Sequence, residues 1–595
     1  MFCVAACTDD GRDSAGDGDG DVGNDDDDDD GIIVSADDDD GADDDDDDGV
    51  DDDDDVGKPF FLVIDPPELV RELDLGAPLA VRFSIVAMYA DDVQRDVTGE
   101  ATWTTSNASL GAMEDETATF STPGFAQNTV GSTVLTASLD GAKGEAQLTV
   151  AAYKQSGVNP DFFFILPFEG TPHAKELTFG TDVKSMDVFV NMDTTGSMGP
   201  PIANLQAALT TDIIPHAQSK IPDTQFGVGH FEDYPLGSYG AVDASETGTD
   251  QPFFLSQAIS ASSDAVADAV GAYTEDGDPV GSGFDFPESM IESLYQIATG
   301  SGLDGPDDTF VPANHDGIGG VGFRPGTMPV VVTISDAVSH APGEADCEFN
   351  GTSVDISYDD PTISEAATRD EAKDALADIC ARVVGIAVNS EPSCSALSDI
   401  TDFAVATGAR VPPQIWDEEG SRPAGCNVEA CCTGVNGQGV AADADGLCPL
   451  VYRVDEDGEG VDAGVVEGLA MLTRYAPFDV MRTVTGDATG TMGESLPVGK
   501  TTLDFIRAVL PHSYGVPPLE SAPEPSMSDN AFLNVTPGTA VTFEISAQND
   551  FLFVPAGAAA QVFVAHIQVS AGQCADLDDR DVYILVPPAT LPPPG

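Results

Sequence analysis

Hydrophobic positions divide the chain into three patterns. Over residues 58–152, short segments alternate apolar and polar side chains, as in Val81-Arg-Phe83-Ser-Ile85 and Ala146-Gln-Leu148-Thr-Val150. A period of two sends one face of each segment into a core, so these read as strands, with Trp103 a core aromatic. Their near-regular spacing predicts a β-sandwich. Over 180–478 the pattern changes. Apolar runs at 186–191, 226–228, 328–334 and 382–388 read as strands, and Ile202, Leu205, Leu209 and Ile213 follow helical spacing. Further helices are expected near 255–274, 287–299, 364–379, 395–407 and 461–476. Strands alternating with helices predict a doubly wound α/β sheet, which binds ligands at the carboxyl ends of its strands. Residues 479–595 return to alternation, as in Val541-Thr-Phe543-Glu-Ile545, and predict a second β-sandwich with 511–529 as a Pro/Ser-rich connection. Residues 153–179 read as a linker.

Charge changes this picture at one end. The 595 residues carry 22 basic against 105 acidic side chains, a net charge of -83. No basic surface can be assembled for nucleic acid, and an anionic membrane surface repels such a chain. Residues 1–57 alone hold 27 Asp and one basic residue, Arg12. That composition predicts a disordered tether kept extended by self-repulsion. Its Asp runs lack the fixed spacing of a calcium loop.

Ahead of the tether stands Val4-Ala5-Ala6-Cys7. It resembles the lipobox of bacterial lipoproteins, which implies a lipid on Cys7, with the basic and apolar parts of a signal segment encoded upstream of Met1. No apolar run reaches the length of a membrane span, so the expected membrane attachment is through that lipid alone. Eight further cysteines, Cys347, Cys380, Cys394, Cys426, Cys431, Cys432, Cys448 and Cys574, suit disulfides formed after export. The adjacent Cys431 and Cys432 are expected to bond to different partners. Zinc is disfavoured for this group, because the chain has no CxxC pair and no His between 394 and 448. The expected location is the cell envelope, as an outer-membrane or cell-surface lipoprotein.

The informative motif is Asp193-Thr-Thr195-Gly-Ser197, between the first strand and first helix of the α/β segment. It sets one carboxylate and two hydroxyls on a single turn. These hard oxygen donors suit Mg²⁺, Mn²⁺ or Ca²⁺. Three more segments accompany it: Gln225–Pro235, Gly281-Ser-Gly-Phe-Asp-Phe-Pro-Glu288, and Val330-Val-Val-Thr-Ile-Ser-Asp336. Together they resemble the von Willebrand factor type A family over 180–478. The resemblance implies a metal-ion-dependent adhesion site with ligands from three loops. Asp193, Thr195 and Ser197 fall on the first loop and Asp336 on the third. The Thr usual in the second loop has no clean match, and Asp285 is the candidate there. His340, four residues after Asp336, is expected to border the site. Residues 344–361 and 411–450 look like insertions. Within 58–152, the order Asp96-Val-Thr98, Ala101–Asn107, Gly131–Ala137 and Leu148–Val150 resembles bacterial immunoglobulin-like domains, which implies a spacer.

No HExxH helix, Gly-x-Ser-x-Gly elbow or Walker loop occurs, so no enzyme is expected. The expected function is divalent-metal-dependent binding of a protein or extracellular matrix ligand through an acidic side chain. The alternative is a structural envelope protein whose metal only stabilises it.

Overall fold

The centre of the α/β domain is strand β1, Ser185–Asp193, buried at eight of its nine positions. Only a strand covered on both faces tolerates such a run, and that fixes it mid-sheet. In the computed structural model, which describes residues 57–591 apart from 157–159, 243–248, 306–308, 359, 364, 391–392 and 492, five more strands flank it. They are β2 (Asp223–Phe231), β3 (Phe254–Ser260), β4 (Met328–Ser335), β5 (Arg382–Val388) and β6 (Val451–Val454). The spatial order is β3-β2-β1-β4-β5-β6, with β3 antiparallel and the rest parallel. The chain runs from β1 outward to β2 on one side and resumes at β4 on the other. The carboxyl ends of β1 and β4 therefore flank the crevice where the strand order reverses. All of the expected tether at 1–57 but residue 57, Cys7 included, lies outside the described residues.

Helix α1 (Gly199–Ala208) follows the Asp193 turn at once, with Pro200 and Pro201 in its first turn, where no amide hydrogen is needed. Helix α2 (Met290–Thr299) begins just after Glu288 and stops at Gly300, whose φ of 62° suits glycine. Two expectations differ from what is found. The helix expected over 255–274 is strand β3 followed by a shorter helix, Ser263–Gly271, with Ser262 as its cap. Phe254–Ser260 pairs at the sheet edge through register shifts, so its apolar spacing is not strictly alternating and mimics a helical stripe. Strand β6 was not expected at all; four residues following a Cys-rich insertion give too short a run to stand out.

The expected linker at 153–179 is also corrected. Phe162–Ile165 pairs in parallel with Ala575–Val586, and His173–Phe179 pairs antiparallel with Val541–Ala547. These residues thus complete the two sheets of the C-terminal sandwich before the chain enters the α/β domain. Pairing over some 400 intervening residues leaves no local signal. The expected boundary at 478/479 falls inside strand Phe478–Gly486, and one continuous core joins the α/β domain to the sandwich. Strand Ile506–Tyr514 enters the expected connection at 511–529; Pro511 is tolerated because the strand lies at a sheet edge and shifts register there. Residues 61–153 form a β-rich domain around its own core, including Phe83, Trp103 and Phe120.

All eight downstream cysteines are paired, as Cys347–Cys394, Cys380–Cys574, Cys426–Cys432 and Cys431–Cys448. Cys431 and Cys432 do take different partners. Cys380–Cys574 ties the α/β domain to the sandwich, and the last two bonds staple the 411–450 insertion.

Candidate metal centre

The end of β1 carries Asp193 into the crevice, fully buried. Its Oδ1 accepts from the Thr195 amide (3.0 Å) and the Thr195 hydroxyl (2.7 Å), which curls the turn back on itself. Its Oδ2 accepts from Ser335 Oγ at 2.7 Å, at the end of β4. Asp336 follows, hydrogen-bonded to the Ser197 side chain. The four first- and third-loop residues expected from the sequence are thus brought together, with β1 and β4 as the scaffold.

Asp285 is placed elsewhere. Its Oδ2 lies 3.4 Å from His340 Nε2, and His340 in turn lies 3.1 Å from Asp233 Oδ2. The carboxylate that neighbours Asp193 from the second loop is Glu288, which was not singled out in the sequence. Gly283 permits this approach: a side chain there would collide with Glu288 Oε1 and crowd Thr195. Asp250 pins the same loop by accepting from the Ser282 amide (2.9 Å) and the Gly283 amide (3.0 Å). Glu288 itself is fixed by backbone bonds to Val338 and from His340.

Glu232 and Asp233, at the end of β2, also join the cluster. Glu232 accepts from the Thr194 hydroxyl and from the Gln251 amide at 3.0 Å. The signal that could have found these residues is a Glu-Asp pair, and later a Glu, inside stretches otherwise apolar enough to be buried.

Burial raises Asp193, Glu232, Asp233, Glu288 and Asp336, and repulsion by neighbouring acids adds to it at the first four. Burial first, then the Asp336 charge, pushes Asp193 up to about 7. Burial pushes Glu232 up to about 8 despite its hydrogen bonds. Glu288 lies well above the carboxylate range through burial and then Asp193, Asp233 and Asp285. Asp233 and Asp336 are raised chiefly by burial. His340 is also raised, for the opposite reason: burial lowers it, but Asp233 and Asp285 outweigh burial and hold it at about 9. Asp336 Oδ1 and Glu288 Oε2 are buried with no hydrogen-bond partner among the described residues. Oxygen-rich donors, unmatched charge and orphaned carboxylate atoms fit a hard divalent cation. Asp193, Thr195, Ser197 and Asp336 would hold it, with Glu288 beside them.

No family model and no curated protein matches this chain. Two solved structures align over much of it. One is a von Willebrand factor type A protein from Catenulispora acidiphila, at 12% identity over 71% of this chain and 71% of that one, with a TM-score of 0.25. The other is the pilus adhesin SpaC from Lactobacillus rhamnosus GG, open conformation, at 11% identity over 74% of this chain and 49% of the adhesin, with a TM-score of 0.26. Scores this low carry no argument. The fold reading rests on the chain's own topology: a 3-2-1-4-5-6 sheet with an Asp-x-Thr-x-Ser turn at its switch point.

Proposed function

We propose that the α/β domain is a type A domain that binds a hard divalent cation, Mg²⁺, Mn²⁺ or Ca²⁺, and uses it to hold a protein or matrix ligand. The supporting observation is the convergence of Asp193, Thr195, Ser197 and Asp336 at the switch point, with no basic side chain against Asp193 among the described residues. Bound there, the cation supplies an electrophilic centre for a carboxylate oxygen of the partner. The loop beside it also offers a contact surface: Phe284 is 57% exposed and Phe286 is exposed against Phe349, so two aromatic side chains flank the crevice. Four disulfides accord with an exported protein held at the cell envelope. The role is binding and not catalysis.

Calorimetry of chelator-stripped protein should show one Mg²⁺ site, lost in Asp193→Ala. Ligand capture from cell-surface or matrix extracts should then vanish with chelator and with the same variant. Moderate salt should not abolish it, because salt screens the repulsion between this acidic chain and an acidic partner. A ligand held equally by Asp193→Ala and wild type would place recognition elsewhere.

A further inference from the structure

Asp233, Asp285 and His340 reach one point from three segments: the end of β2, the 281–288 loop and the loop after β4. His340 Nε2 stands 3.1 Å from Asp233 Oδ2 and 3.4 Å from Asp285 Oδ2, and one ligand atom from each residue lies within 4.8 Å of the others. Despite these short spacings, His340 Nε2, Asp233 Oδ2 and Asp285 Oδ1 make no hydrogen bond among the described residues. Asp233 and His340 are 0% and 2% exposed, so water does not compensate them at the surface.

The rest of each side chain is held in place. His340 Nδ1 faces the Ile356 carbonyl at 3.3 Å and is the donor there, so Nε2 is the nitrogen left for a metal, which would displace the proton that Asp233 and Asp285 favour on it. The ring stacks on Tyr358 at 4.0 Å and meets Tyr239 edge-on at 5.4 Å. Asp233 Oδ1 is taken by the Tyr358 hydroxyl (2.9 Å) and the Tyr234 amide (2.6 Å), so only Oδ2 is free for the gap. An ion bound tetrahedrally at about 2.0–2.2 Å separates its ligand atoms by about 3.3–3.6 Å. The spacings of 3.1 and 3.4 Å are close to such an edge.

We propose that Asp233, Asp285 and His340 form a second metal site, distinct from the Asp193 site and taking a transition-series divalent ion such as Zn²⁺ in preference to Mg²⁺. The imidazole nitrogen sets the preference, since Mg²⁺ favours oxygen alone while Zn²⁺ binds nitrogen well. The charges of both Asp193 and the Asp233–Asp285 pair act on Glu288, which thus adjoins both sites. The inference does not depend on any ion at Asp193.

The test uses full-length, chelator-stripped protein titrated with Zn²⁺ in excess Mg²⁺. Wild type and Asp193→Ala should each bind one Zn²⁺ per chain, with a single imidazole nitrogen visible by X-ray absorption. Asp285→Asn, at a side chain one-third exposed and therefore safe for folding, should weaken that binding at least tenfold, and His340→Gln should abolish it. Three results would overturn the proposal: no Zn²⁺ uptake by wild type, uptake unchanged in Asp285→Asn and His340→Gln, or loss in Asp193→Ala alone. So would nitrogen NMR of Zn²⁺-saturated protein showing His340 protonated at both nitrogens, because the triad would then be an ion pair.

Discussion

Strand β1 carries two fully buried aspartates six residues apart, and they are treated in opposite ways. At the lower end, Asp187 meets Arg324, whose Nη2 stands at 2.7 Å and whose Nε donates at 2.8 Å. The Arg324 amide (2.7 Å) and Thr327 Oγ1 (3.0 Å) complete its shell. At the upper end, Asp193 receives, among the described residues, hydroxyls and an amide alone, and faces further acids. A buried charge matched by an internal cation holds the fold together. One left unmatched at a switch point, beside other acids, is a place for a cation from outside.

The largest effect should come from removing the internal cation. Arg324→Leu leaves Asp187 buried without its ion-pair partner and should cost about 3–5 kcal/mol in denaturant unfolding. Adding Asp187→Leu should restore much of that loss. If Arg324→Leu is neutral, the two ends of β1 do not differ as described.

Next in size is the external cation. Saturating chelator-stripped protein with Mg²⁺ at about 100 times Kd should stabilise it by about 2.7 kcal/mol, read as a raised Tm. Asp193→Ala should erase the gain. Metal-free Asp193→Asn, by contrast, should be more stable than metal-free wild type by about 1–2 kcal/mol, because a repelled buried charge is gone. A loss of stability there would mean that Asp193 is compensated as Asp187 is.

The smallest effect concerns a half-buried acid with a neutral partner. Glu467 Oε1 accepts from Trp416 Nε1 at 2.5 Å, and burial holds its pKa above the usual range. The folded state thus binds this proton more tightly than the unfolded state, so stability falls as pH rises through the raised value. Glu467→Gln keeps an acceptor for Trp416 and never charges. Its stability relative to wild type should therefore increase from pH 4 to pH 8, by about 1 kcal/mol or less. A flat difference across that range would show Glu467 to be as well solvated as a surface acid.

Sequence alone determined what is local. The alternation of Val81–Ile85, the buried run of β1 and the Asp193-x-Thr-x-Ser turn each carry their period or donor set within a few residues. The oxidised state of the eight cysteines was legible from their number and crowding. What tertiary structure decided is long-range. Strands 162–165 and 173–179 belong to a sandwich completed some 400 residues later, and a pairing partner leaves no trace in the strand it pairs with. The second loop depended on packing in the same way. Asp285 and Glu288 are three residues apart and equally acidic in the sequence. Only the fold turns Glu288 toward Asp193 and Asp285 toward His340, because the bond from the His340 amide to the Glu288 carbonyl aligns one loop against the other.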